Sequence, residues 1–137
     1  MFEWKDGYTC TIEEIDKQHK KLLELGARIY KILKTDKGID KYDDIAAVIT
    51  ELKEYTIYHF GYEEKLMETN GYSDLEDHKI KHEQFVDKII EIEDMDIDEN
   101  QDKAIMEMLM FVADWIEKHI LVADMGYVKE FILEGSI

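Results

Sequence analysis

The sequence predicts an all-α fold, an up-down-up-down four-helix bundle with an N-terminal arm and a short helical tail at the C-terminus. Three observations lead there. The 137 residues contain no proline, so the strongest helix breaker is missing. Three turn-forming stretches, TDKGIDK at 35–41, TNGYSD at 69–74 and the acidic DMDIDENQD at 94–102, cut the chain into helix-length segments. Within each segment apolar residues recur in steps of three and four, the period that packs helices side by side.

The helices are expected over residues 12–34, 41–69, 74–93 and 100–123. The first carries the seam Ile15, His19, Leu22, Gly26, Ile29, Leu33. The second carries Ile45, Val48, Leu52, Tyr55, His59, Tyr62, Leu66. Ser73 or Asp74 offers an N-cap for the third, whose seam is Leu75, His78, His82, Phe85, Ile89, Ile92. The fourth reads Ile105, Met108, Val112, Trp115, His119, Val122. All of this is expected to form one domain over residues 1–137.

Composition narrows the class. A formal charge of -16 repels phosphate backbones and anionic lipid, so nucleic acid and membrane surfaces are excluded as partners. No run approaches the ~20 apolar residues of a membrane span, and the opening MFEWKDGYTC does not follow the export pattern, so a cytoplasmic protein is expected. The single cysteine, Cys10, can form neither an internal disulfide nor a thiolate-rich metal site and is read as incidental.

The histidines carry the chemistry. All five lie on seams, although seam positions are only about two in seven of a heptad. Short connections force neighbouring helices antiparallel, which brings together the start of helix one, the end of two, the start of three and the end of four. Those are the regions that hold His19, His59, His78 with His82, and His119. Five imidazoles in one core layer would each need a partner, and a metal ion supplies it. His78 and His82 are separated by about 40° around a helix and about 6 Å along it, so both can grip one ion. His59 and Glu63 share that spacing. His119 and Asp124 are five apart, a turn of about 140°, so the helix must loosen there for both to face inward. Five imidazoles with two bridging carboxylates and a solvent-derived oxygen suit two six-coordinate ions with one position open. Ligation without thiolate suits iron, with manganese and zinc as competitors. The other glutamates and lysines of residues 59–82 are read as solvated.

DKQH at 16–19, HFGYEE at 59–64, the GY preceding His-x3-His at 71–82, and WIEKHILVADMGY at 115–127 together resemble the hemerythrin family, in particular its bacterial single-domain members. The resemblance covers residues 12–127. It implies two iron ions bridged by an oxo or hydroxo oxygen, with dioxygen as ligand. His78, His82 and His119 would hold one iron, His19 and His59 the iron with the open position, and Glu63 and Asp124 would bridge. Tyr127 also fits the pattern and is read here as a packed aromatic. Of the apolar residues near the ligands, among them Tyr55, Phe60, Phe85, Ile116 and Ile120, Leu23 and Trp115 are the chosen lining of the oxygen pocket. The implied function is reversible dioxygen binding for storage, delivery or sensing. The alternative on the same site is a di-iron enzyme reducing peroxide or dioxygen, with an electron donor that the sequence does not identify. Glu-x-x-His pairs and His-Glu-x-x-His are both absent, which disfavours ferritin-like and zinc-protease sites.

Overall fold

Four long helices carry the chain: α1 (Glu13–Leu33), α2 (Tyr42–Thr69), α3 (Leu75–Asp94) and α4 (Gln101–Lys118). Past Lys118 the helical path continues through a wider π-helical segment, His119–Asp124, into α5 (Met125–Glu134). A 3-10 turn, Asp6–Tyr8, lies in the N-terminal arm. The computed structural model describes residues 2–10, 12–35 and 39–134, so the centre of the turn at 35–41 and the side chain of Val122 fall outside the described residues. Among those residues there is no strand, and no helix is long and apolar enough to cross a membrane.

α1 packs against α2 and α4, and α3 packs against the same two. This is the closed ring of neighbours of an up-down-up-down bundle. The buried stripes follow the expected seams with one drift. In the second half of α2 the buried residues are His59, Phe60, Glu63 and Met67, whereas Tyr62 of the expected seam is 39% exposed. A straight α-helix turns 3.6 residues per turn, so a seam drawn at 3.5 slips by about 20° per heptad and the inward face passes to the next residue.

Two apolar clusters sandwich a polar layer. The larger includes Leu22, Leu23, Phe60, Phe85, Ile116 and Ile120. The smaller holds Cys10, Ile15, Met67, Tyr127, Val128 and Phe131. On α1, His19 falls between Ile15 and Leu22; on α2, Glu63 falls between Phe60 and Met67. Each helix thus passes apolar, polar, apolar through this end of the bundle. Cys10 belongs to the cap, where burial pushes its thiol up to about 12, so it stays protonated and unreactive.

α5 is held over that end by the turn after α2. Gly71 adopts φ 68°, which glycine reaches without a Cβ penalty. Tyr72 N–H then donates to Met67 O (2.9 Å) and Gly71 N–H to Glu68 O (3.2 Å), the paired bonds of a Schellman stop. The expected N-cap bond is not made: Asp74 stands at the N-cap of α3 without a side-chain cap bond. Ser73 instead bonds Glu130 of α5 through both its N–H and its hydroxyl, and Tyr72 packs edge-on against Tyr127 and Phe131. At the other side of α1, Gly26 accommodates the Phe2 ring, into which any Cβ would run, and so seats the N-terminal arm.

Candidate metal centre

The seven side chains singled out in the sequence meet in the polar layer. Two groups of four donors form there, His78, His82, His119 and Asp124 on one side and His19, His59, Glu63 and Asp124 on the other. Within each group the potential ligand atoms lie within 4.8 Å of one another, and all seven residues are buried. The π-helical segment makes this possible. Its wider turn brings His119 and Asp124 to one face, which an ideal α-helix at a spacing of five would not.

Asp124 belongs to both groups. Its Oδ1 lies 2.9 Å from His78 Nε2 and 2.8 Å from His119 Nε2, while Oδ2 lies 3.0 Å from His19 Nε2. Glu63 uses its oxygens differently. Oε1 lies 2.7 Å from His59 Nε2 and 3.8 Å from His82 Nε2, and Oε2 accepts a 2.7 Å hydrogen bond from the Tyr127 hydroxyl. Despite these short approaches, both nitrogens of His19, Nε2 of His59 and His78, Oε1 of Glu63 and both oxygens of Asp124 make no properly angled hydrogen bond. Buried polar atoms are almost always paired. A set of seven orphaned donors and acceptors with neutral-imidazole and carboxylate chemistry fits first-row metal ions, which take those lone pairs.

The outer ring nitrogens set that direction. Gln18 donates from Nε2 to Glu14 (3.0 Å), which turns its Oε1 toward His59 Nδ1 at 2.7 Å. Because an amide oxygen only accepts, His59 carries its proton on Nδ1 and leaves Nε2 free to ligate. His82 Nδ1 is likewise matched to Glu64 Oε2 at 2.9 Å. Ring stacking fixes the planes: Phe60 lies on His82 at 4.0 Å and 5°, and Trp115 on His119 at 4.0 Å and 14°.

Electrostatics keep the carboxylates charged. Burial alone would raise Asp124, but the attraction of His119 and the close approach of His119, His19 and His78 hold it well below the carboxylate range. Glu63 is lowered too, the pull of His59 and His19 overcoming burial and the like charge of Asp124. Burial, with the neighbouring His119 and His78, pushes His82 down to about 3 against the attraction of Glu63. His19 is raised, since the Asp124 partnership outweighs its burial. A neutral His82 and two ionised carboxylates are the protonation states that ligation needs.

The two residues expected to line a pocket lie in different places. Trp115 lines a cavity of about 390 Å³ with Phe85, Phe111, His119 and Ala123. Leu23 lines another of about 500 Å³ beneath the N-terminal arm, with Phe2, Tyr8, Met110 and Ile116. Gln18 escaped the sequence reading, and Glu64 and Tyr127 take contacts it did not assign. Glu64 is half-buried against His82 rather than solvated, Gln18 orients His59, and Tyr127 packs as expected but also donates to Glu63. Adjacency to proposed ligands was the available signal for Glu64 and Gln18; their partners lie on other helices, which periodicity does not reveal.

Residues 10–131 match the family model described as the hemerythrin HHE cation binding domain. The chain is similar to a bacteriohemerythrin of Clostridium acetobutylicum, 44% identical over 93% of this chain and 99% of that protein. It is 34% identical to a bacteriohemerythrin of Pseudomonas aeruginosa over 91% of this chain and 78% of the relative. A hemerythrin-like protein of Naegleria gruberi is 27% identical over 92% and 90%. With a four-helix bundle that gathers five histidines and two carboxylates into two adjoining groups, and a family match across nearly its whole length, the chain belongs to the hemerythrin family.

Proposed function

We propose that the centre holds two iron ions joined by an oxo or hydroxo oxygen, and that the pair binds dioxygen reversibly. The observation that carries this reading is the shared Asp124, whose two oxygens face different histidine sets. A carboxylate so placed serves two ions rather than one. His78, His82 and His119 would hold one ion, His19 and His59 the other, with Glu63 and Asp124 common to both. Fewer imidazoles assign the position for dioxygen to the His19 and His59 side. The relatives' names and the cation-binding family description support the metal, and the family resemblance adds iron and dioxygen.

The chemistry that the ions supply when bound is the reversible transfer of two electrons, one per iron, to dioxygen. The chain supplies the conditions for it. His59 keeps its proton on Nδ1 against Gln18, so Nε2 presents a lone pair. Glu63 and Asp124 contribute two negative charges in a buried layer, which offset cationic charge in low dielectric. Leu23, Ile116 and Ile120 are buried around this layer, and apolar surroundings exclude water and provide no acid to cleave an O–O bond. Glu64, the carboxyl group that could have served as such an acid, is turned to His82 instead, which favours binding over reduction. Leu23 and Trp115 remain the proposed pocket residues, Leu23 one helical turn from His19 and Trp115 against His119.

The test is anaerobic reduction of iron-loaded protein, oxygen titration and degassing under a visible spectrum. Repeated appearance and loss of a coloured adduct is expected. Catalytic oxygen or peroxide consumption without a recoverable adduct would reverse the reading.

A further inference from the structure

We infer that Glu64 is a positioning residue that makes the two halves of the centre electronically unequal, biasing the ion held by His78, His82 and His119 toward its higher oxidation state. The inference rests on the two-ion reading above and goes beyond it. Two ligand rings have their outer nitrogens bonded within the protein, and the acceptors differ in charge. His59 Nδ1 meets the neutral Gln18 amide at 2.7 Å; His82 Nδ1 meets the Glu64 carboxylate at 2.9 Å. An anionic acceptor draws the Nδ1 proton more strongly, which raises electron density at Nε2 and makes the ring a better donor to a cation.

Among the described residues, no other carboxylate meets the outer nitrogen of a ligand ring. Asp124 approaches histidines of both halves, and Glu63 lies nearer His59 (2.7 Å) than His82 (3.8 Å), so neither singles out the His82 half. Glu64 touches one half only. It borders a surface cavity of about 270 Å³ with Ile57, Phe60, His82 and Val86, while the His82 ring stays 2% exposed. Phe60, stacked on His82 at 4.0 Å, restricts that ring to the plane in which Nδ1 faces Glu64 and Nε2 faces inward.

The test uses full-length protein loaded with iron and, separately, with redox-inactive zinc. Glu64→Gln keeps an acceptor oxygen of the same reach and removes the charge. Its expected effect is a roughly tenfold shift toward the ferrous state, a rise of about 59 mV for one electron, with two ions retained. Glu64→Asp keeps the charge and should restore most of the potential. Gln18→Glu places a charge behind His59 and should lower the potential. In the zinc-loaded protein the His82 Nδ1 nitrogen resonance should move in Glu64→Gln and stay near its wild-type position in Glu64→Asp. Equal potentials in wild type and both Glu64 variants, with two ions bound, overturn the inference and leave the two-ion reading intact. A wild type that holds fewer than two ions per chain overturns both.

Discussion

The two halves of the centre share Asp124 but differ in depth. His19 and His59 are 0% exposed, whereas His78, His82 and His119 are 2–3% exposed. Each of the latter three borders a cavity at the surface, of about 230, 270 and 390 Å³ respectively, and none of these cavities reaches His19 or His59. The difference follows from the elements. His19 and His59 sit mid-seam on α1 and α2, pressed ring to ring at 5.0 Å. The other three come from the start of α3 and from the π-helical segment, and residues of α3 line all three cavities. One half of the polar layer is thus sealed among helices, while the other borders cavities open to the surface.

Mutations and pH can break that contrast or sharpen it. The largest effect is expected from Asp124→Ala, which removes the one residue common to both donor groups. If the centre holds the two irons proposed, iron content after desalting should fall from two per chain to near zero, a loss of affinity above about 100-fold. Retention of one ion would mean that one half stands alone. Next, His59→Ala leaves its half a single imidazole and should yield one ion per chain. His119→Ala leaves two imidazoles and should keep the second ion at affinity reduced by about 10–100-fold. Equal losses would erase the distinction.

The metal-free protein should show the contrast in its pH dependence. His82, at about 3 when folded and 6.5 when unfolded, refuses a proton that the unfolded chain accepts. Stability therefore falls as pH drops from 6.5 toward 3, by on the order of a few kcal/mol. His19 lies above 6.5 when folded because Asp124 outweighs burial, so its contribution is full below 6.5 and lost as pH rises through the folded value. Denaturant midpoints should peak near the unfolded value of 6.5; a monotonic rise from pH 5 to 9 would contradict the assigned shifts. The smallest effect is Tyr127→Phe, which removes a 2.7 Å bond to buried Glu63 and should cost about 2 kcal/mol in the same assay. Its equal loss in metal-loaded protein would show that Glu63 Oε2 still depends on the hydroxyl.

Much of this molecule was legible in one dimension. The expected helix ends differ from those observed by at most one residue through α3, and the five-residue step from His119 to Asp124 required the loosened turn that the π-helical segment provides. The slip at Tyr62 has a physical cause, since a stripe spaced at 3.5 residues loses phase on a 3.6-residue helix over the 28 residues of α2. Glu64 was hidden for a different reason. Read from its own helix it is a charged residue on the outer side of the stripe, and only the approach of His82 from α3 gives it work.

Periodicity, turn residues and short connections are local properties, so the sequence by itself determined four antiparallel helices and the end of the bundle where seven polar side chains gather. What each side chain does there depends on atoms brought from other helices. Only the tertiary structure decided that Glu63 gives one oxygen to Tyr127, that an amide backs one ring and a carboxylate another, and that α5 closes the layer. The reason is that rotamer and hydrogen-bond choices within a packed core are settled by neighbours remote in sequence, which no spacing along one helix records.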